Sequence, residues 1–64
     1  MTDESEKIPV DILRETEAAY LLRRQSDGTE AWFPKSQIVW ERRNQLKQVG
    51  VADIPDWLLE KKDW

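Results

Sequence analysis

Ala18-Ala19-Tyr20-Leu21-Leu22-Arg23-Arg24-Gln25-Ser26-Asp27-Gly28-Thr29-Glu30-Ala31-Trp32-Phe33-Pro34 is the stretch on which the fold turns. Two runs that suit extended backbone flank a single turn signal. Asp27-Gly28 between apolar segments predicts a type I′ hairpin, because glycine accepts the positive φ that the turn requires. Ala18–Gln25 then forms one strand, with Tyr20 and Leu22 on one side and Ala19 and Leu21 on the other. Glu30–Phe33 is the return strand, and Trp32 and Phe33 alternate across it, one inside and one partly exposed. Pro34 fixes φ and lacks an N–H, so Pro34-Lys35-Ser36-Gln37 reads as a tight or 3₁₀-like turn, with Ser36 placed to cap it.

On the N-terminal side, Ile8, Val10 and Ile12 alternate in a short edge strand, an edge because Pro9 has no N–H for a ladder. A helical turn around Val10–Arg14 is the alternative. On the C-terminal side, Ile38-Val39-Trp40 resumes an extended run that continues through Arg43. Such a strand puts Trp40 and Arg42 on one face and Arg43 on the other. The polar stretch Asn44–Gln48 is a loop or second hairpin. A last strand spans Val49–Ile54, with Gly50 as a bulge or a close-approach point. A C-terminal helix follows: Asp53 caps it, Pro55 and Asp56 suit its first turn, and Lys61 and Lys62 suit its last. Its apolar face is Ile54, Trp57, Leu58 and Trp64, and Trp57, Leu58 and Leu59 are read as core contacts. The expected class is α+β: a small curled antiparallel sheet, or partly open barrel, of three to five strands with one C-terminal helix. Residues 1–7 are a flexible acidic N-terminus and 8–64 a single small domain.

A chain of 64 residues buries only about 60% of the surface its unfolded form exposes, so the core is thin. Four tryptophans compensate, since aromatic rings bury the most area per side chain. There is no cysteine and no histidine, which excludes disulfides, zinc fingers and histidine-dependent catalytic triads. No apolar run approaches the roughly 18 residues that span a bilayer. The acidic start lacks the basic region and apolar core of a secretory signal, which points to a cytoplasmic protein with no membrane partner. The net charge of −3 hides a pattern: residues 1–17 carry −4, residues 18–52 carry +3 and residues 53–64 carry −2. The basic middle also holds Tyr20, Trp32, Phe33 and Trp40.

Glu30-Ala31-Trp32-Phe33-Pro34-Lys35-Ser36-Gln37-Ile38 resembles a group of short, mostly uncharacterised proteins common in bacteriophages and prophages. The group shares a Glu-Thr-Glu-x-Ala segment (here Glu15–Ala19), a hairpin, a Trp-aliphatic-Pro-Lys-Ser-Gln core and a Pro-x-Trp-Leu helix (here Pro55–Leu58). Phe33 departs from that pattern, where an aliphatic residue is usual, and so does the polar stretch 41–48. The resemblance implies a phage-type origin and no single activity. Phe33-Pro34-Lys35-Ser36-Gln37-Ile38 also resembles the 3₁₀ turn that joins the last two strands of Src-homology-3-like barrels, which implies a fold of that kind.

The residues fit to bind are Trp32, Lys35, Trp40, Arg42 and Arg43. Trp32 offers a flat ring, Lys35 a cation, and Ser36 and Gln37 hydrogen bonds. Tryptophan beside arginine is the composition of interface hot spots, and also of platforms for single-stranded nucleic acid. Arg23 and Arg24 end a strand, where charges usually serve solubility. Asp11, Glu15, Glu17, Asp53, Asp56 and Glu60 show no metal-ligand spacing and read as solvated acids or caps. No nucleophile–base pair can be named, so no enzyme and no cofactor are expected. The reading is a small non-catalytic module that binds a protein partner, with inhibition of a host enzyme or defence complex as one such role. The alternatives are single-stranded nucleic acid at the basic centre, or a homodimer burying Trp40 and Trp64.

Overall fold

Extended backbone dominates the chain because β-branched and aromatic residues alternate with polar ones. The computed structural model describes residues 4–64. The elements are β1 (Ser5–Glu15), β2 (Ala19–Arg24), β3 (Glu30–Pro34), a 3₁₀ turn (Lys35–Gln37), β4 (Val39–Asn44), β5 (Val49–Pro55) and α1 (Asp56–Lys61). The strands form one antiparallel sheet in the order β3-β2-β1-β5-β4. The sheet is open, with β3 and β4 as its two edges. This is the expected α+β arrangement, with one C-terminal helix.

β1 is the central strand, not an edge, and it is extended through Val10–Arg14 rather than helical. Pro9 fits there for a local reason. A strand residue's N–H and C=O point to the same side. The Pro9 carbonyl accepts from the Gln25 N–H at 3.1 Å, so its nitrogen faces the β2 side. The last β1–β2 pair is Val10 with Arg24, so β2 has already turned away at that level. The missing N–H therefore costs the ladder little. β1 also begins earlier than expected: Ser5, Glu6 and Lys7 pair with Pro55, Ile54 and Asp53. The first three residues of the acidic N-terminal segment lie outside the described residues.

The β2–β3 connection is wider than a type I′ turn. That turn needs positive φ at two residues, and here only Gly28 has it, at 77°. The loop spans Gln25–Thr29 and is closed by the Gly28 N–H donating to the Arg24 carbonyl at 2.7 Å. Asp27 stiffens it by accepting from the Thr29 N–H at 3.0 Å and by pairing with Arg24. The 3₁₀ turn lies where Pro34 predicts it, but no side chain caps it, and Ser36 is exposed.

Among the described residues, one face of the sheet is covered and the other is not. Ile8, Val10, Ile12, Tyr20, Leu22, Phe33, Ala52 and Ile54 form the inner face, with Ile38, Leu58 and Leu59 packed on it. α1 buries Leu58 and Leu59 and leaves Trp57 half exposed. At about 100° per residue, a face centred between Leu58 and Leu59 puts Trp57 about 150° away. Trp57 is therefore not a core residue. Pro55, not Asp53, is the helix N-cap, and Asp53 remains a strand residue paired with Val39. The chain reverses after α1. Asp63 takes φ of 61°, and the Trp64 N–H reaches back to the Leu59 carbonyl at 2.8 Å. That reversal lays Trp64 edge-on against Phe33, with centroids 4.7 Å apart.

Candidate functional site

Two β-bulges decide where the candidate residues point. A bulge adds one residue to a strand and reverses the alternation beyond it. In β1 the register shifts between Ile12 and Arg14, so Leu13 is the extra residue. Ile12 faces inward opposite Leu22, Arg14 faces outward opposite Leu21, and Glu15 faces inward opposite Tyr20. In β4 the register shifts between Trp40 and Arg42, with Glu41 extra. Trp40 faces inward opposite Ala52, Arg42 faces outward opposite Val51, and Arg43 faces inward opposite Gly50. The expected sharing of a face by Trp40 and Arg42 is thus reversed: Trp40 goes with Arg43.

The two bulges bring Glu15 and Arg43 together on the inner side of the sheet. The Arg43 Nη2 donates to Glu15 Oε1 at 2.8 Å, and its Nη1 donates to the Tyr20 hydroxyl at 3.2 Å. The guanidinium carbon sits 5.3 Å from the ring centroids of both Tyr20 and Trp40. Those two rings meet edge-to-face at 5.4 Å. Lys35, at the start of the 3₁₀ turn, donates to Glu15 Oε2 at 2.7 Å and lies 5.0 Å from the Tyr20 centroid. One carboxylate therefore engages both cations across two aromatic rings. The Lys35 and Arg43 hydrogen bonds hold the Glu15 carboxyl below its ordinary value of 4.5, against a smaller opposing effect of desolvation. A carboxylate held ionised in this way is a poor proton acceptor. The cluster works as a lock between β1, β2, β4 and the turn.

This lock has a pH signature. Glu15 has a lower pKa folded than unfolded, so its contribution is present above about pH 4.5 and is lost as pH falls through the folded value. Asp11, lowered by its hydrogen bonds to Arg23 and Gln25, acts in the same direction. The melting temperature is expected to drop as pH falls from 5 toward 3, and Glu15→Gln is expected to flatten that drop. Thermal melts at half-unit pH steps check this; an equal slope in the variant removes the lock.

The five candidates therefore do not share a patch. Lys35, Trp40 and Arg43 belong to the lock, and all three are half-buried. Trp32 lies on the outer face of edge strand β3, 41% exposed, opposite Leu21. Arg42 lies on the outer face of the other edge, exposed, beside a shallow concavity of about 340 Å³. Between them run Glu30, Arg23, Asp11, Val49 and Asn44, paired in register across the sheet. Arg23 there is bound by Asp11 at 2.8 Å. Arg24 does more than keep the chain soluble: it pairs with Asp27, donates to the Trp64 carbonyl and lies 5.4 Å from the Trp64 ring centroid. Glu15 and Tyr20 escaped the reading of the residues because their roles depend on bulges that leave no mark in residue type.

Among the described residues no three acidic side chains are grouped to hold a metal, and no helix is long and apolar enough to cross a membrane. No protein family, curated protein or solved structure matches the chain.

Proposed function

We propose that the chain is a non-catalytic interaction module, phage-derived and cytoplasmic, that binds a protein partner through the outer face of its sheet. The observation that carries this reading is the division of labour among the candidates. Lys35, Trp40 and Arg43 are engaged with Glu15 and Tyr20, while Trp32 and Arg42 stand on the face that no element of the described residues covers. Trp32 has Leu21 beside it, and beyond Leu21 stands Arg14, so an apolar ring, an aliphatic side chain and a cation lie in one row. Ring burial in a partner pocket, with arginine at the rim, is the economy of a hot spot. Inhibition of a host enzyme or defence complex is a role such a module would fill.

The same pairing weighs against single-stranded nucleic acid. That binding needs cations free to track phosphates, and Arg23, Arg24, Lys35 and Arg43 each already face a carboxylate. The test immobilises the chain and exposes it to bacterial extract and, separately, to a single-stranded oligonucleotide at low and high salt. Expected is one protein held in near-equimolar amount, weakened about 30-fold or more by Trp32→Ser and unchanged by Trp57→Ser. Oligonucleotide retention that falls steeply with salt, without a protein ligand, would replace this reading.

A further inference from the structure

We infer that the concavity beside Arg42 is a subsite for a large apolar side chain carried on an acidic segment of the protein partner. The inference rests on the outer face being the docking surface and says what chemistry meets one end of it. Pro9, Val49 and Val51 are among the apolar residues lining the depression, and Gln25, Arg42 and Asn44 among the polar ones. Its volume of about 340 Å³ is at the small end of ligand sites, enough for one bulky side chain and part of its backbone.

Charge selects the occupant. In a chain of net charge −3, most cations of the sheet have a carboxylate: Lys7 with Glu41, Arg23 with Asp11, Arg24 with Asp27, and Lys35 and Arg43 with Glu15. Among the described residues Arg42 has none, and neither do Arg14 in the row of Trp32, Lys61 and Lys62 at the end of α1, or Lys47 at the tip of the β4–β5 hairpin, which stands at the same end of the sheet as Arg42. Positive charge is therefore left over at this end, and carboxylates flanking an apolar anchor would meet it. A two-fold contact with a second copy centred here would set Arg42 and Lys47 against their own likes, which disfavours that form of self-association.

The hairpin tip adds a preformed contact. Leu46 is 97% exposed, yet the turn that holds it outward is well tied. The Asn44 Oδ1 accepts from the Leu46 and Lys47 N–H groups at 3.1 Å each, and Gln48 Nε2 donates to the Gln45 carbonyl at 2.7 Å. Asn44 is both part of the concavity's lining and the anchor of the tip. A partner segment seated beside Arg42 covers Leu46 without first having to order the loop.

The test is an amide-shift titration of the ¹⁵N-labelled chain at low salt with three capped pentapeptides: Glu-Glu-Leu-Glu-Glu, Glu-Glu-Ala-Glu-Glu and Lys-Lys-Leu-Lys-Lys. The first is expected to shift the Asn44, Val49, Gly50 and Val51 amides saturably. The alanine peptide is expected to bind about tenfold more weakly, the worth of roughly two buried methylenes. The lysine peptide should leave these amides in place, and Arg42→Glu should exchange the two preferences. Equal response to leucine and alanine, equal response to both charge signs, or no shift at these amides would each overturn the subsite. Those outcomes leave the Trp32-dependent protein retention untouched, so failure here is distinguishable from failure of the docking face.

Discussion

Gly50→Ala is expected to leave most of the chain unfolded at 25 °C. A Cβ built on Gly50 would lie 2.5 Å from the carbonyl oxygen of Arg42 and 3.0 Å from Cζ3 of Trp40. The first contact is with backbone, so no rotamer change relieves it. Strands β4 and β5 would have to part at the bulge, where the ladder is already interrupted between Trp40 and Arg42. Overpacking of side chains alone typically costs about 1–3 kcal/mol, and a clash with backbone costs more. A core this small supplies only about 3–5 kcal/mol in total. Near-ultraviolet circular dichroism and amide-shift dispersion measure the loss. A melting temperature within about 5 °C of the parent would show that the two strands can separate cheaply, contrary to this account. Trp40→Ala added to Gly50→Ala removes the ring contact and leaves the carbonyl contact, so the double variant is expected to stay unfolded. Gly28→Ala is a different case: a Cβ there meets nothing within 4 Å, and the cost is the positive φ alone, about 1–2 kcal/mol.

What the residues disclosed, and what they withheld, follows from how local each determinant is. Pro34 needs only itself to stop β3, so the 3₁₀ turn was legible. The alternation Tyr20, Leu22 and Phe33 needs only period two, and those residues are buried. Gly50 reads in the sequence as either a bulge or a close-approach point, and the second is what the fold uses: the bulge lies on β4, and a Cβ at Gly50 would meet the Arg42 carbonyl. Bulges are another matter. Leu13 and Glu41 carry no glycine to announce them, and each reverses every side chain beyond it. That one-residue slip brought Arg43 onto the face of Trp40 and moved Arg42 from the expected company of Trp40 to the opposite face. Asp63 at positive φ is equally silent in sequence, and it turns Trp64 back onto Phe33. The basic, aromatic centre is present in the fold, but half of it is internal. Glu15 lies in the acidic N-terminal third of the chain and engages two of its cations. A segment-by-segment charge tally cannot see that compensation, because it joins residues 20 and 28 positions apart.

Trp32 and Phe33 are adjacent in sequence, and truncating them is expected to separate stability from binding. Phe33 is fully buried, opposite Tyr20 on β2 and edge-on to Trp64. Phe33→Ala removes a ring from the middle of the core and also strips Trp64 of its aromatic contact. Such truncations cost about 3–5 kcal/mol, comparable to the whole stability of a domain this size. The variant should therefore be largely unfolded or melt far below the parent. Trp32→Ala removes a larger ring from the opposite face of the same strand, where 41% of the residue is already in water. Its contacts are along the sheet surface, with Leu21 across the ladder, so the expected cost is under about 1 kcal/mol. For a chain of this length that is a fall of roughly 4–8 °C or less in melting temperature. Urea unfolding of the two variants side by side decides the matter, since the midpoint reports stability and the slope reports the surface exposed on unfolding. If Trp32→Ala proves as damaging as Phe33→Ala, Trp32 is a structural residue and the outer face loses its anchor. If it folds like the parent and fails only in partner retention, the two neighbouring rings divide the work, one holding the sheet to its helix and the other facing outward to be buried by something else.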